Sequence, residues 1–231
     1  MIGLTVNFII TAQLPLARMP DTSAAAYTST HMSIDYALFH GINGFAGRYR
    51  ALDAIMVTAA KYSPELLAFV LVALWLSWDY RSQRGAFLAA LSALVALGIG
   101  QIVGMGFPRD RPYLAHHVTL LVQHAPDTSF PSDHATLAFA LAVMVWQFNR
   151  RLGSVLLVLG LLVCFARVFI GAHYPTDVVG GAILGTVTSL LLRLLSERHV
   201  VAHGVDRIFA CLAHCHLAAS PARGSRAPGE L

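Results

Sequence analysis

Two histidines lie close in this sequence to residues that could orient or assist them, and histidine is the side chain best suited to proton transfer near neutral pH. His173 precedes Asp177 by four residues, and Pro175 between them favours the start of a helix. With that spacing the carboxylate can hold one imidazole nitrogen, which directs the other nitrogen at a substrate as a nucleophile. His134, in the stretch SFPSDHA at 129–135, is predicted to donate a proton to the leaving oxygen and later to activate water.

Arginines and a helix start near these histidines indicate a substrate that carries phosphate. Arg111 and Arg167 offer planar guanidinium groups that match phosphate oxygens, and we predict that they bind the group from two helix ends. Pro131 and Ser132 mark the start of a helix, whose free N–H groups also attract an anion. Arg109 adds another positive charge nearby. Together these residues predict an oxyanion pocket.

Each of these residues has a simpler interpretation when it is taken alone. An arginine at a helix end often only extends to the interface, a serine after proline often only caps a helix, and an outer histidine is often only solvated. The polar groups, however, concentrate in three stretches, 107–113, 129–135 and 166–177, each at the end of an apolar run. Polar groups at such places are rare unless they have a function, so we predict one shared site. No compact carboxylate cluster offers a hard-metal site, and no metal or cofactor is predicted.

The elements that position these stretches are apolar helices. The composition is 56% hydrophobic and 12% charged, and the mean hydropathy is +0.63, which indicates a membrane protein. Apolar runs predict five spans, the clearest at 86–107, 135–148, 152–170 and 178–195, with a somewhat shorter one at 64–78 that extends at its start. Glycines and basic residues interrupt 34–62, which predicts an interfacial helix followed by a short sixth span. The predicted fold is all-α, a polytopic membrane bundle of five or six spans.

Arginines that follow alternate spans orient this bundle. The pairs are Arg81 with Arg84, Arg150 with Arg151, and Arg193 with Arg198. By the positive-inside rule these loops are cytoplasmic, so the stretches with His134 and His173 face the opposite side, the periplasm in a bacterium. The same arginines account for most of the net charge of +4, so the charge does not indicate a nucleic-acid partner.

The chain is expected to have three parts. Residues 1–31 are predicted to be an amino-terminal extension, with Met32 as an alternative start, and 32–198 the membrane domain. Residues 199–231, rich in Ala, Pro, Gly, Ser and Arg, are predicted to be a disordered cytoplasmic tail. The histidines and cysteines of the tail match no zinc-site spacing.

The three polar stretches resemble the motifs of the type 2 phosphatidic acid phosphatase (PAP2) superfamily. Arg111 and Pro112 match the end of its Lys-x6-Arg-Pro motif. The second motif, Pro-Ser-Gly-His, is matched at Pro131, Ser132 and His134, and the third, Ser-Arg-x5-His-x3-Asp, at Arg167, His173 and Asp177. The resemblance covers about residues 33–197. It implies a membrane phosphatase that uses a phosphohistidine intermediate and no metal.

Three positions depart from the motifs. Gly104 stands where the first motif has lysine, Asp133 replaces the glycine of the second, and Ala166 replaces the serine of the third. Arg109 is predicted to supply the missing charge, so the predicted phosphate-binding set comprises Arg109, Arg111, Ser132, Asp133 and Arg167. Asp133 and the stretch HAPDTSFPSDHAT resemble the bacitracin-resistance branch, the undecaprenyl-diphosphate phosphatases.

That branch implies a substrate and a location. The substrate would be undecaprenyl diphosphate, whose terminal phosphate is removed at the periplasmic side of the bacterial inner membrane, so the partners are this lipid and the membrane lipids. Phosphatidylglycerophosphate or phosphatidate remains an alternative substrate, because the motifs do not read the lipid tail. A lipid-phosphate carrier or scramblase is the alternative outside enzymes, although transport needs neither a nucleophile nor a proton donor. The oligomeric state is not predicted.

Overall fold

The computed structural model describes residues 25–77, 79–197 and 207, with side chains from residue 34 onward. Regular structure in the described residues is entirely helical, as predicted. The helices are α1 (Ala25–Asn43), α2 (Arg50–Leu76), α3 (Tyr80–Gly106), α4 (Pro112–Ala115), α5 (Asp133–Phe148), α6 (Arg150–Phe169) and α7 (Pro175–Ser196). The predicted tail at 199–231, apart from residue 207, and most of the predicted extension at 1–31 lie outside the described residues.

Each of the five predicted spans coincides with a helix. Within the described residues, α2, α3, α6 and α7 are long and apolar enough to cross a membrane. The remaining long core helix, α5, has 16 residues and buries Leu141 and Met144 almost completely. Large apolar side chains such as Phe69, Leu94 and Leu161 are exposed on the surrounding helices, as lipid-facing positions of a multi-pass membrane protein are.

The structure differs from the prediction for the segment 34–62. Instead of an interfacial helix followed by a short span, α1 ends at Asn43 and one 27-residue helix, α2, runs through Pro64. Proline costs a helix one hydrogen bond, yet burial of Ser63 and Leu67 on either side keeps both halves packed. Residues 50–62 are therefore the first part of a single long span.

The helix order separates two ends of the bundle. At one end, Ser132 N at the start of α5 donates to Asp177 O in α7, at 3.1 Å. At the other end, Gln83 Nε2 of α3 donates to Trp75 O of α2, at 3.0 Å, and Phe148 of α5 lies against Gly85. The polar stretches thus share one end, while Arg81 and Arg150 belong to the opposite one.

Small residues let α7 approach α5 closely enough to bring these stretches together. A Cβ at Gly181 would collide with Ser132 O and Thr136 Oγ1, and one at Gly185 with the backbone of α5 at Thr136 and Ala140. Such glycines, four residues apart on one helix face, permit close helix contact in membranes. The first turn of α7 is therefore held beside the start of α5.

The chain divides into two compact units after Leu190. The first contains every candidate site residue. In the second, the structure describes the end of α7, where Arg193 pairs with Glu197 at 2.7 Å.

Candidate active site

His173 lies at the centre of the polar end, in the turn between α6 and α7. Gly171 adopts a positive φ of 86°, which ends α6 in the way a glycine commonly does. The imidazole is 2% exposed, and its Nδ1 lies 2.9 Å from the main-chain oxygen of Ser129. Because that oxygen only accepts hydrogen bonds, Nδ1 carries the proton and Nε2 keeps its electron pair.

Two guanidinium groups converge on that electron pair. Arg111 Nη1 lies 3.1 Å and Arg167 Nη2 3.2 Å from His173 Nε2, and both arginines are buried. Of these two arginines, only Arg111 forms an ion pair with a carboxylate in the described part of the chain. Its partner is Asp127, at 2.6 Å, and that carboxylate is 60% exposed. Two buried cations beside one nucleophilic nitrogen form a pocket with excess positive charge, which favours an anion.

Three buried polar atoms in the described part of the chain have no hydrogen-bond partner: Arg167 Nε, Ser132 Oγ and His124 Nε2. Ser132 occupies the N-cap position of α5, but its hydroxyl makes no capping bond. An unsatisfied buried polar atom costs about 1–3 kcal/mol, and native structures rarely leave one without a reason. Arg167 and Ser132 belong to the predicted phosphate-binding set, and a bound anion would supply the missing partners.

Asp177 holds the imidazole indirectly, which differs from the predicted direct bond. Its Oδ2 lies 3.8 Å from His173 Nδ1, too far for a hydrogen bond. That oxygen instead accepts from Ser129 Oγ at 2.5 Å and from Tyr174 N at 2.9 Å. Ser129 stands between the two side chains, so Asp177 fixes Ser129, and the carbonyl of Ser129 fixes His173.

Burial sets the protonation state of His173. Removal of the imidazole from water lowers the pKa of His173 to about 4; Asp177 opposes this shift, whereas Arg167 and Arg111 add to it. His173 is therefore neutral at physiological pH, as a nucleophile must be.

Comparison with known proteins identifies this arrangement. The PAP2 superfamily profile matches residues 85–200, half of the chain and all three polar stretches. The chain belongs to the PAP2 superfamily. It is 34% identical over 164 residues to the undecaprenyl-diphosphatase BcrC of Bacillus subtilis, covering 71% of this chain and 85% of that protein. It is also 32% identical to the bacitracin transport permease protein BcrC of Bacillus licheniformis, over 67% of this chain and 76% of the relative.

A solved membrane protein has the same fold. The crystal structure of a transmembrane PAP2-type phosphatidylglycerolphosphate phosphatase from Bacillus subtilis superposes with a TM-score of 0.59 at 21% identity. The match covers 75% of this chain and 90% of that one. The likeness shows that the helical core is the PAP2 membrane fold.

The missing lysine of the first PAP2 motif has a steric explanation. A Cβ at Gly104 would lie 2.9 Å from Thr128 Cγ2 and 3.2 Å from Phe130 O, so the segment before α5 fills the space of any side chain there. Arg109, the predicted replacement, is held by Asp35 and Asp177, at 2.6 Å and 2.7 Å. Its charge is thus shared between two carboxylates.

Asp133, which replaces the glycine of the second PAP2 motif, is bound by α3. Gln101 Nε2 lies 3.2 Å from both of its carboxylate oxygens, and the residue is exposed. The helix dipole stabilises a carboxylate in the first turn of a helix, but the same carboxylate repels phosphate. The contacts therefore favour a role in holding the start of α5 against α3, while phosphate binding by Asp133 stays a prediction.

The other two histidines of the site lie on either side of this start of α5. His134 is half-buried in the first turn of α5. His124 lies in the preceding loop and was not predicted as a site residue. Burial lowers its pKa to about 4, and the charges of Arg167 and Arg111 add to that shift. No sequence pattern marks His124 as a site residue, because only the folded path of the loop brings it near the arginines.

Among the described residues, no three His, Cys, Asp or Glu side chains are grouped as a metal site would require. The polar groups of the site are arginines, histidines, serines and carboxylates that already have hydrogen-bond or ion-pair partners. Such a donor set matches an oxyanion.

Proposed function

We propose that the protein is an integral membrane phosphatase that converts undecaprenyl diphosphate to undecaprenyl phosphate and inorganic phosphate. The observation that carries this proposal is the convergence of the Arg111 and Arg167 guanidiniums on Nε2 of a neutral, buried His173. The choice of lipid is supported by the relative in Bacillus subtilis, which is named for that activity.

In the proposed reaction, His173 Nε2 attacks the terminal phosphorus and the anhydride P–O bond breaks. Undecaprenyl phosphate leaves, and the phosphoryl group stays on His173. Arg111 and Arg167, with the N–H groups and Ser132 hydroxyl at the start of α5, stabilise the charge of the transferred group. His134 donates a proton to the leaving oxygen, then removes one from the water that hydrolyses the phosphohistidine. Inorganic phosphate leaves and His173 is restored.

The proposed location is the bacterial cytoplasmic membrane, with the site open to the periplasm. Support comes from the separation between the ends of the bundle, because Arg81 and Arg150 belong to the end opposite His173. A site on that face would recycle the carrier lipid diphosphate released during cell-wall synthesis, which accounts for a bacitracin-resistance role.

Phosphatidylglycerophosphate and phosphatidate are alternative substrates, since the solved PAP2 relative is named for the former. A lipid-phosphate carrier is the alternative outside enzymes, and the Bacillus licheniformis relative is named as a transport permease. The contacts of His173 favour an enzyme, because binding and release of a headgroup do not require a neutral imidazole between two arginines.

The test is phosphate release by the purified protein in detergent. We expect kcat/KM for undecaprenyl diphosphate to exceed that for phosphatidylglycerophosphate and phosphatidate by about tenfold or more. His173→Gln should be inactive, whereas His117→Gln, at an exposed loop histidine, should match the unsubstituted protein. A reversed order of substrates would assign the protein to one of the other lipids, and no release from any of them would favour the carrier.

A further inference from the structure

Asp35 of α1 is a buried carboxylate joined to the active site by three hydrogen bonds. Its Oδ1 accepts from Thr176 N at 3.0 Å, and its Oδ2 accepts from Thr176 Oγ1 and from Arg109 Nη2, both at 2.6 Å. Asp35 is 7% exposed, and it lies outside residues 85–200, the part matched by the PAP2 profile. A buried carboxylate needs such partners, because removing a charge from water is costly.

Arg109 links this carboxylate to that of Asp177. Its Nη2 donates to Asp35, and its Nη1 donates to Asp177 Oδ1 at 2.7 Å. The guanidinium carbon also lies 4.0 Å from the centre of the Tyr174 ring. A planar guanidinium held by two carboxylates and an aromatic face has a fixed orientation. Its Nη1 and Nη2 groups thereby both donate to protein acceptors.

The link continues to the nucleophile. The other oxygen of Asp177 accepts from Ser129 Oγ at 2.5 Å, and the main-chain oxygen of Ser129 holds His173 Nδ1 at 2.9 Å. Each step is a hydrogen bond between described, largely buried groups. A displacement of Asp177 would therefore reach the imidazole through Ser129.

The position of α1 is itself fixed at the same end. Asn43 Nδ2 donates to Thr119 O at 2.9 Å and to Phe169 O at 2.8 Å. Phe39, 1% exposed, packs with Val168, Tyr174 and Val178 around the turn between α6 and α7. The carboxylate of Asp35 is therefore presented from a well-anchored helix.

We propose that Asp35 and Arg109 are positioning residues that fix Asp177 and the first turn of α7, and through them the orientation of His173. The inference rests on the proposed phosphatase function and deepens it. It assigns α1 to the active site, and it gives Arg109 a role other than that of a phosphate ligand replacing the motif lysine.

Kinetics separate the two roles of Arg109. A phosphate ligand should affect the inhibition constant of inorganic phosphate, whereas a positioning residue should affect kcat. For Asp35→Asn and Arg109→Gln we expect kcat to fall about 10- to 100-fold, as a displacement of a nucleophile by about 1 Å does. The inhibition constant of phosphate should stay within about twofold. Arg111→Gln, which removes a proposed phosphate ligand, should raise that constant.

The double variant, with Asp35→Asn and Arg109→Gln in one chain, distinguishes lost positioning from simple loss of folding. Arg109→Gln alone leaves two buried carboxylates without their cation, so Asp35→Asn in the same chain should relieve that repulsion. If Asp35 acts through Arg109, the double variant should be no slower than Arg109→Gln alone. Asp53→Asn is the matched control, because Asp53 is a carboxylate that accepts a hydrogen bond from Gly47 N, outside the chain of contacts that links Asp35 to His173. We expect it to keep the original kcat.

A second readout does not depend on activity. In protein labelled with 15N-histidine, the Nδ1–H of His173 should give a protected downfield proton signal, assigned by its loss in His173→Gln. That signal should persist in Asp53→Asn and shift or vanish in Asp35→Asn and Arg109→Gln. An unchanged signal in both Asp35→Asn and Arg109→Gln would overturn the inference. An unaltered kcat in Asp35→Asn would also overturn it. So would a rise in the inhibition constant of phosphate in Arg109→Gln as large as that in Arg111→Gln. A protein inactive on every lipid but with the expected signal changes would instead contradict the proposed function alone.

Discussion

His173 can attack phosphorus only while its Nε2 keeps an electron pair, and its surroundings maintain that state in two ways. Burial and the two arginines disfavour the imidazolium, and the carbonyl of Ser129 holds the single proton on Nδ1. In the proposed reaction, the same arginines that keep Nε2 unprotonated would also bind the phosphate it attacks, because both lie within hydrogen-bond distance of that nitrogen. At the scale of the residue, the proposed function therefore assigns nucleophile activation and substrate binding to the same two arginines.

The first prediction concerns the division of labour between the histidines. His173→Gln should abolish both turnover and the acid-labile, base-stable phosphoprotein trapped by rapid quenching, because no other group can replace Nε2. His134→Gln should still form the phosphoprotein but hydrolyse it slowly, since water would lack its base. The exposed His117 supplies the control, His117→Gln. Label that survived in His173→Gln and vanished in His134→Gln would mean that the roles are reversed.

The second prediction follows from the lowered pKa of His173. Its folded-state pKa of about 4 lies below the ordinary 6.5, so the unfolded chain binds this proton first. The contribution of neutral His173 to stability is complete above pH 6.5 and is lost as the pH falls toward 4, by at most about 3 kcal/mol. Activity of the folded protein should decline only as the pH approaches 4, where the attacking nitrogen of His173 becomes protonated.

Thermal unfolding in detergent measures this effect. Between pH 7 and pH 4.5 the melting temperature of the unsubstituted protein should fall further than that of His173→Gln, which has no proton to bind at this position. His124, whose pKa is lowered in the same direction, is present in both proteins and cancels in the comparison. Equal decreases in the two proteins would contradict the assigned protonation state.

The site residues that the sequence predicts differ in their physical properties from those it does not predict. Arg111, Arg167, His134 and His173 stand out because charged or polar side chains are costly beside apolar spans. Ser129 acts through its main-chain oxygen, which no sequence pattern reveals. Asp35 meets Thr176 across 141 residues of chain, so its role depends on how α1 packs.

At the scale of the element, the site depends on how closely α7 approaches α5. The bond from Ser132 N to Asp177 O joins the two helix starts, and Gly181 permits the approach one turn further along α7. Apolar run lengths predicted these helices, because the bilayer fixes the length of a span. They could not predict that α2 continues through Pro64, since that outcome depends on packing of Ser63 and Leu67.

The third prediction tests this contact with alanine. Gly181→Ala should destabilise the protein by about 1–3 kcal/mol and lower kcat, because its Cβ would push α7 away from Ser132. Gly98→Ala in α3 is the matched control, since a Cβ there meets nothing within 4 Å. It should leave activity unchanged and stability equal or slightly higher. Melting temperature and phosphate release measured on both variants would decide, and equal behaviour of the two would contradict the role given to Gly181.

At the scale of the whole molecule, the arginines divide the protein into a basic end and a catalytic end. Arg150 and Arg151 begin α6, while His173 and Arg167 lie at or beyond its other end, and the helix is 20 residues long. At 1.5 Å per residue such a helix is about 30 Å long, the thickness of the hydrocarbon core. The two ends are therefore far enough apart to lie on opposite faces of a membrane.

The last prediction is the direction of that arrangement, which cysteine labelling can measure. With Cys164, Cys211 and Cys215 replaced by serine, single cysteines are introduced as His117→Cys at the catalytic end and Arg151→Cys at the basic end, both exposed positions. In spheroplasts, a membrane-impermeant maleimide should label His117→Cys directly and Arg151→Cys only after permeabilisation, because basic loops remain cytoplasmic. Arg150 stays in place, so the topological signal is largely retained. Direct labelling of Arg151→Cys with protection of His117→Cys would turn the site toward the cytoplasm. The protein would then act on lipid phosphates of the inner leaflet, and recycling of a carrier lipid released outside the cell could not be its task.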